Sequence, residues 1–100
     1  MSEIEKLMKE INKFRDERNW RQYHNPKDLA LSISIEAAEL LEDFQWLSSE
    51  EAVARNKMNI KEEIADVLIY SLMLCSELEL DVDEIVREKI KKNGIKYRLE

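Results

Sequence analysis

Leu29 to Trp46 reads LALSISIEAAELLEDFQW, and Lys61 to Cys75 reads KEEIADVLIYSLMLC. Both segments have helical periodicity. With residues placed at roughly 100° per step around a helix axis, Ser32, Glu36, Glu39 and Asp43 share one narrow stripe of the first segment. Leu29, Ile33 and Leu40 flank that stripe on one side, and Ile35 and Trp46 on the other. In and just before the second segment, Asn59, Glu63, Asp66 and Tyr70 share a stripe, with Ile60, Val67 and Leu74 on one side and Met73 on the other. A solvated helix face is broad and rich in Lys and Glu, whereas these are thin acidic strips between apolar walls. Asp66 is the sole charged residue between Ile64 and Cys75, so the second helix is expected to be buried nearly all round. An ionised carboxylate in such a place is costly unless it is paired or bound to metal.

The i,i+3 spacing of Glu36/Glu39 and of Glu63/Asp66 projects each pair from one face about a turn apart. If the two stripes face each other, four carboxylates converge. Without a neutralising Lys or Arg they suit a hard divalent cation, and Mg²⁺ takes carboxylates, waters and phosphate oxygens. With phosphate as the missing ligand, the arrangement suits metal-assisted hydrolysis of a phosphoanhydride. A single ExxE is usually a solvated surface feature; two pairs, each embedded in an apolar helix, favour a metal site over buried salt bridges. Glu42, Asp43 and Glu62 read as solvated, with Asp43 the one nearest the edge of the site. A helical interaction module held by buried salt bridges would need basic residues on these stripes, and the apolar stretches offer almost none. A di-iron carboxylate bundle would need Glu-x-x-His pairs, and the only histidine, His24, lies in a polar connector.

Outward from these segments the chain reads as all-α. A first helix is expected from Ser2 to Asn19, with Ile4, Leu7, Met8, Ile11 and Phe14 at helical spacing. Trp20 to Lys27 is a connector, and Pro26 suits the first turn of the next helix, expected over Lys27 to Trp46. Ser48 and Glu51 form a capping-box pattern for a short helix to Arg55. A third long helix is expected from Met58 to Leu78, and a fourth from Val82 to Asn93, capped by Asp81 at its start and Gly94 at its end. The tail Ile95 to Glu100 is left loose. One Gly and one Pro in 100 residues make a β-sandwich or barrel improbable. Nothing in the sequence marks a linker, so residues 1–100 read as one domain.

The net charge of −6 without a basic run argues against a nucleic acid polymer as partner. A bound nucleotide would need a cation to offset like charge. Cys75 is the only cysteine, so no intrachain disulfide can form, which fits a reducing cytoplasm; it reads as a small buried hydrophobe. Met1 to Asn12 lacks the apolar core of an export signal, and the longest apolar stretch is too short to span a membrane. Four helices cannot cover both sides of a nearly all-apolar helix, so a homo-oligomer is expected.

The stripes, together with RDERNWRQYHNPKDLALSISIEAAELLEDFQW, EEIADVLIYSLML and REKIKKNGIKY, resemble the MazG-like proteins of the all-α NTP pyrophosphohydrolase superfamily, closest to the dCTP-pyrophosphatase branch. The resemblance runs from about Phe14 to Tyr97. It implies a four-helix, bundle-like fold completed by oligomerisation, as intertwined dimers paired into tetramers. It implies hydrolysis of a (deoxy)nucleoside triphosphate to monophosphate and pyrophosphate, on dCTP-like or modified substrates, with dUTP or broad NTP hydrolysis as the alternative. It implies Mg²⁺ (Mn²⁺ as substitute) on Glu36, Glu39, Glu63 and Asp66, with Glu39 the candidate base. It places Trp20, His24, Trp46 and Tyr70 near the nucleotide, and Lys89, Asn93 and Tyr97 near its phosphates or sugar. On the residues alone, Trp20 and Trp46 suit core packing as well as base stacking, and Lys89 suits a solvated charge. One departure stands out: many MazG proteins carry EExxE, and Ile35 precedes Glu36 here.

Overall fold

The computed structural model describes residues 1–99; Glu100, the end of the tail, lies outside them. Four α-helices and one 3₁₀ turn account for the chain: α1 (Glu3–Glu17), the turn Trp20–Tyr23, α2 (Pro26–Glu42), α3 (Ser49–Glu77) and α4 (Val82–Lys96). The all-α expectation holds.

Each helix begins where side-chain chemistry supplies a cap. Ser2, Asn25, Ser48 and Asp81 accept from the backbone N–H three residues on, at Glu5, Asp28, Glu51 and Glu84. These bonds satisfy donors that the helix itself cannot. Pro26 opens α2, where its missing N–H costs nothing.

Boundaries differ from the sequence reading in three places. The Ser48 helix and the third long helix are one element, bent at Asn56, whose φ/ψ of −116°/17° is not helical. Asn56 Nδ2 donates to the Asp43 carbonyl at 2.7 Å, so the bend has an identifiable cause. The second helix stops at Glu42 rather than Trp46: from Asp43 to Gln45 the backbone bonds tighten to the carbonyl three residues back, and Trp46 then takes a left-handed φ of 65°. The fourth runs through Gly94 to Lys96; Gly94 sits inside the helix, at the entropic cost of a mid-helix glycine, and caps nothing.

The principal packing is α2 against α3, with α1 laid across α3. Asp43 meets Asn59, while Glu39 and Glu36 meet Glu63. Positions advance along α3 as they retreat along α2, which makes the pair antiparallel. Ile11 of α1, Leu29 of α2 and Met73 of α3 form the buried centre, with Ile69, Tyr70, Leu72 and Leu74 against it. Arg15 is also wholly buried. Its Nη1 lies 2.8 Å from Glu77 Oε1 and its Nε donates to Asn12 Oδ1 at 3.0 Å.

That core is small. Ile35 and Leu68 remain 56% and 57% exposed, so within one chain α3 is not buried all round as expected. α4 packs only lightly on the rest, its first turns near Ile4 of α1, and among the described residues no four-helix bundle closes. The radius of gyration is 16.2 Å, against about 13 Å for a compact domain of this length. No helix among the described residues is long and apolar enough to cross a membrane.

Leu29 is fully enclosed where three helices meet. Leu29→Ala is therefore expected to cost about 3 kcal/mol, read as a lower urea midpoint at unchanged slope. A loss well under about 1 kcal/mol would mean that this contact is not the centre of the core.

Candidate metal centre

The antiparallel register of α2 and α3 brings the predicted carboxylates together. Glu36, Glu39 and Glu63 each offer an oxygen within 4.8 Å of the others. Asp66, one turn beyond Glu63, is outside that tight trio but close enough for its charge to act on Glu36, Glu63 and Tyr70. Asp43 Oδ1 accepts from Asn59 Nδ2 at 2.7 Å. This bond, with the one from Asn56, fixes the helix register a turn away from the trio. Asn59 lies on the predicted stripe; its part as the clasp follows only from the pairing.

Among the described residues no cation answers this charge. The ion pairs among the described residues are Lys6–Glu3, Arg15–Glu77, Arg21–Asp16 and Arg21–Glu77, and none includes the trio or Asp66. Glu36 Oε2 and Glu63 Oε2 are enclosed and have no hydrogen-bond donor. As ionised carboxylates they are acceptors only, so either a shared proton or a metal ion must stand between them. Burial pushes the Glu36 carboxyl up to about 7, reinforced by the close approach of the Glu63 and Glu39 carboxyls and by the charges of Glu39 and Asp66. For Glu63 the facing Glu36 carboxyl acts downward, but burial and the neighbouring carboxylates outweigh it and the net direction is upward. Hard, crowded, oxygen-only donors without a basic partner fit a divalent cation.

Beside the carboxylates lies a cavity of about 460 Å³ with an apolar wall of Leu7, Ile11, Phe14, Trp20, Ile69 and Met73; Asp66 and Tyr70 also line it. Burial and the charges of Glu36, Asp66 and Glu39 push the Tyr70 hydroxyl up, which keeps it protonated as a donor. Phe14, Trp20, His24 and Tyr70 stand in an edge-to-face row, with successive ring centroids 5.5, 6.2 and 6.5 Å apart. The structure thus sets Trp20 and Tyr70 with Asp66 in the cavity lining, while His24 packs against both rings from outside that lining. Phe14 and Met73 in the wall read from sequence as packing alone, and only the pairing of α1 with α3 reveals their second role.

Four predicted residues are not gathered. Trp46 is 95% exposed on its left-handed turn. Lys89, Asn93 and Tyr97 lie on or just beyond α4, and no hydrogen bond or ion pair joins them to the carboxylates. Cys75 is half-buried, and burial pushes its thiol up, as suits an unreactive side chain.

The MazG-like family profile matches residues 31–100, which include all four carboxylates, Trp46 and Tyr70. The chain belongs to the MazG-like family. A pyrophosphatase from Archaeoglobus fulgidus superposes with a TM-score of 0.92 at 50% identity, covering 99% of this chain and 95% of that one. The dCTP pyrophosphatase 1 proteins of Bos taurus and Homo sapiens are each 35% identical over 89 residues, 84% of this chain. The MazG-like chain spans about half the length of these curated relatives, 53% and 52% respectively.

A pH dependence follows for the metal-free MazG-like chain. The folded Glu36 carboxyl titrates near 7, against an ordinary value of 4.5. Between those values the folded chain binds more protons than the unfolded chain, so stability falls as pH rises through that window. Urea denaturation in EDTA should show this decline, and Glu36→Gln should flatten it. A wild-type profile that climbs across the same window would contradict the crowding of these groups.

Proposed function

We propose that this chain is a Mg²⁺-dependent pyrophosphohydrolase of (deoxy)nucleoside triphosphates, with dCTP-like or modified deoxynucleotides as substrates and Mn²⁺ as a substitute ion. The observation that carries the reading is the convergence of Glu36, Glu39 and Glu63, unanswered by any basic group, beside an aromatic-lined cavity. The similarity to proteins named pyrophosphatase and dCTP pyrophosphatase 1 supports it. The missing basic partner also weighs against a helical interaction module, which would need buried salt bridges here.

Glu36, Glu39, Glu63 and Asp66 would hold the ion. When bound, it supplies positive charge that offsets the triphosphate's and polarises its phosphoryl oxygens. Glu39, the most exposed of the trio, orients a water and takes its proton as that oxygen attacks phosphorus. The phosphoanhydride P–O bond breaks, one product leaves as pyrophosphate and the other as the nucleoside monophosphate. Tyr70 donates its hydroxyl toward the phosphates, and Trp20 presents a ring to the base.

The catalytic unit in this reading is residues 1–100 as one domain, working in the cytoplasm as a homo-oligomer, with the tetramer favoured over the dimer. The exposed apolar faces of α2 and α3 are the surface to be covered. Trp46 bears two costs alone, a left-handed backbone and an exposed indole, and contact with a neighbouring copy or a bound base would offset both. Lys89, Asn93 and Tyr97, on or just beyond a helix that packs only lightly on its own chain, would serve the phosphates or sugar in such an assembly. Light scattering at micromolar concentration should give a multiple of 11.9 kDa; a stable, active monomer would refute this part.

Glu63→Gln and Asp66→Asn should abolish turnover while the fold survives, because each removes one like charge from a crowded site. A structural ion pair would behave oppositely, with a loss on the order of 3–5 kcal/mol. Unfolding of Asp66→Asn, or unchanged Mg²⁺-dependent hydrolysis, would remove the ligand assignment. A panel of triphosphates with pyrophosphate release as readout separates dCTP-like preference from dUTP or broad activity. Calorimetry with a non-hydrolysable triphosphate should show affinity rising by more than about tenfold on adding Mg²⁺, over about 1.4 kcal/mol of coupling. Equal affinity with and without the ion would place the phosphates elsewhere.

A further inference from the structure

The carboxylate site leaves one polar cluster unused, on the far side of the aromatic row. Arg15 is 0% exposed. Its Nε is occupied by Asn12, but Nη1 and Nη2 make no hydrogen bond. The contact of Nη1 with Glu77 Oε1 at 2.8 Å is one of charge, with the N–H groups poorly aligned for a hydrogen bond. Arg21 stands 3.8 Å from the same oxygen. His24 is half-buried here, and its Nδ1 is enclosed and without a partner. Nε2 is not among the enclosed unpaired atoms; it belongs to the open side of a ring wedged against Trp20 and Tyr70. The His24 backbone N–H donates to the Arg21 carbonyl at 3.1 Å, Arg21 and Arg15 share Glu77 Oε1, and the charges of all three act on the His24 ring. Buried guanidinium donors and a buried imidazole nitrogen, each short of a partner, thus belong to one cluster.

We propose that Arg15 is a positioning residue for His24: its guanidinium, directly or across one water, is the donor to His24 Nδ1, which leaves the ring's proton on Nε2 as a donor to an acceptor oxygen of the nucleotide. The last clause rests on the functional reading above. A buried unsatisfied donor is expensive, and a second proton on Nδ1 would bring positive charge against the guanidinium. The competing arrangement has Nδ1–H donating to Glu77. Glu77 already faces two guanidinium groups, which reduces its pull on a third donor. The groups acting on the ring agree: burial depresses its proton affinity most, Arg15 next, and the upward effect of Glu77 comes after both, with Arg21 again downward. His24 is thus held neutral, and the hydrogen bond at one ring nitrogen decides what the other presents.

The chain has one histidine, so its imidazole ¹⁵N signals are assigned without ambiguity. Nitrogen-resolved NMR on the full chain should show a neutral ring with the proton on Nε2 and Nδ1 shifted as a hydrogen-bond acceptor. Arg15→Met should shift Nδ1 to its free-imidazole position and raise the His24 titration toward the ordinary value of about 6.5; Arg15→Lys should restore both in part. A wild-type ring protonated on Nδ1 would show that Glu77 governs it and overturn the proposal, without need of a variant. A folded Arg15→Met with unchanged Nδ1 signal and titration would overturn it equally. Adding a non-hydrolysable triphosphate with Mg²⁺ should move the Nε2–H signal, and Arg15→Met should weaken that binding by about three- to tenfold, the worth of one hydrogen bond. A silent Nε2–H on nucleotide addition, with the Arg15 dependence intact, would sink the nucleotide reading of His24 while leaving its positioning by Arg15 standing.

Discussion

Like charges held at close range organise this molecule. Three carboxylates on two helices meet within 4.8 Å, an arrangement that repels itself in the absence of a cation. Something other than the carboxylates must hold α2 to α3. Part of it is apolar: Leu29 and Met73 are buried together with Ile11 of α1. The rest is a polar clasp a turn or so away, where Asn59 and Asn56 both bond Asp43, one to its side chain and one to its carbonyl. The clasp explains why α3 bends at Asn56.

The helix pair is polar where its stripes meet and apolar on much of its outside, an inversion of the usual plan for a small domain. The cost appears as an extended shape and an undersized core. Under the proposed function, a chain that spends its inner face on metal ligands would bury its outer face against a second copy of the same surface.

How much of this was legible in the sequence depended on whether a signal was local. Caps at Ser48 and Asp81 rest on side chains three residues from their targets, and they could be read directly. The stripes were equally plain, since periodicity alone places Glu36 with Glu39 and Glu63 with Asp66. Their convergence needed only one further premise, that two acidic strips share a reason to face each other. Pairwise geometry was not legible. Nothing near Asn56 announces that it serves Asp43, so the bend read as a helix boundary. Gly94 read as a stop because glycine commonly ends helices, while the helix that holds Ile90, Lys91 and Lys92 runs on through Ile95 and Lys96. Trp46 looked like the last residue of a helix; its left-handed backbone depends on how the chain turns into Ser48. The buried state of Arg15 was the least readable of all, because a lone arginine in a charged helix gives no sign that α3 will close over it.

The aromatic row explains why the two charged clusters can coexist. On one side of Tyr70 stand carboxylates, and they push its hydroxyl up. On the other side of the row, Arg15 and Arg21 hold the His24 ring down. If the clusters met, Arg15 would neutralise a carboxylate and the metal site would lose a ligand. Phe14, Trp20, His24 and Tyr70 stand between them with little polar surface, and Glu77 gives both guanidinium groups a closer anion than any carboxylate of the trio. Glu77 thus engages the guanidinium charge away from the candidate metal centre. A triphosphate has the complementary layout, with anionic phosphates at one end and a flat, weakly polar base at the other. Under the proposed function, a cleft with acidic oxygens at one end and ring edges at the other would meet that molecule at both of its ends.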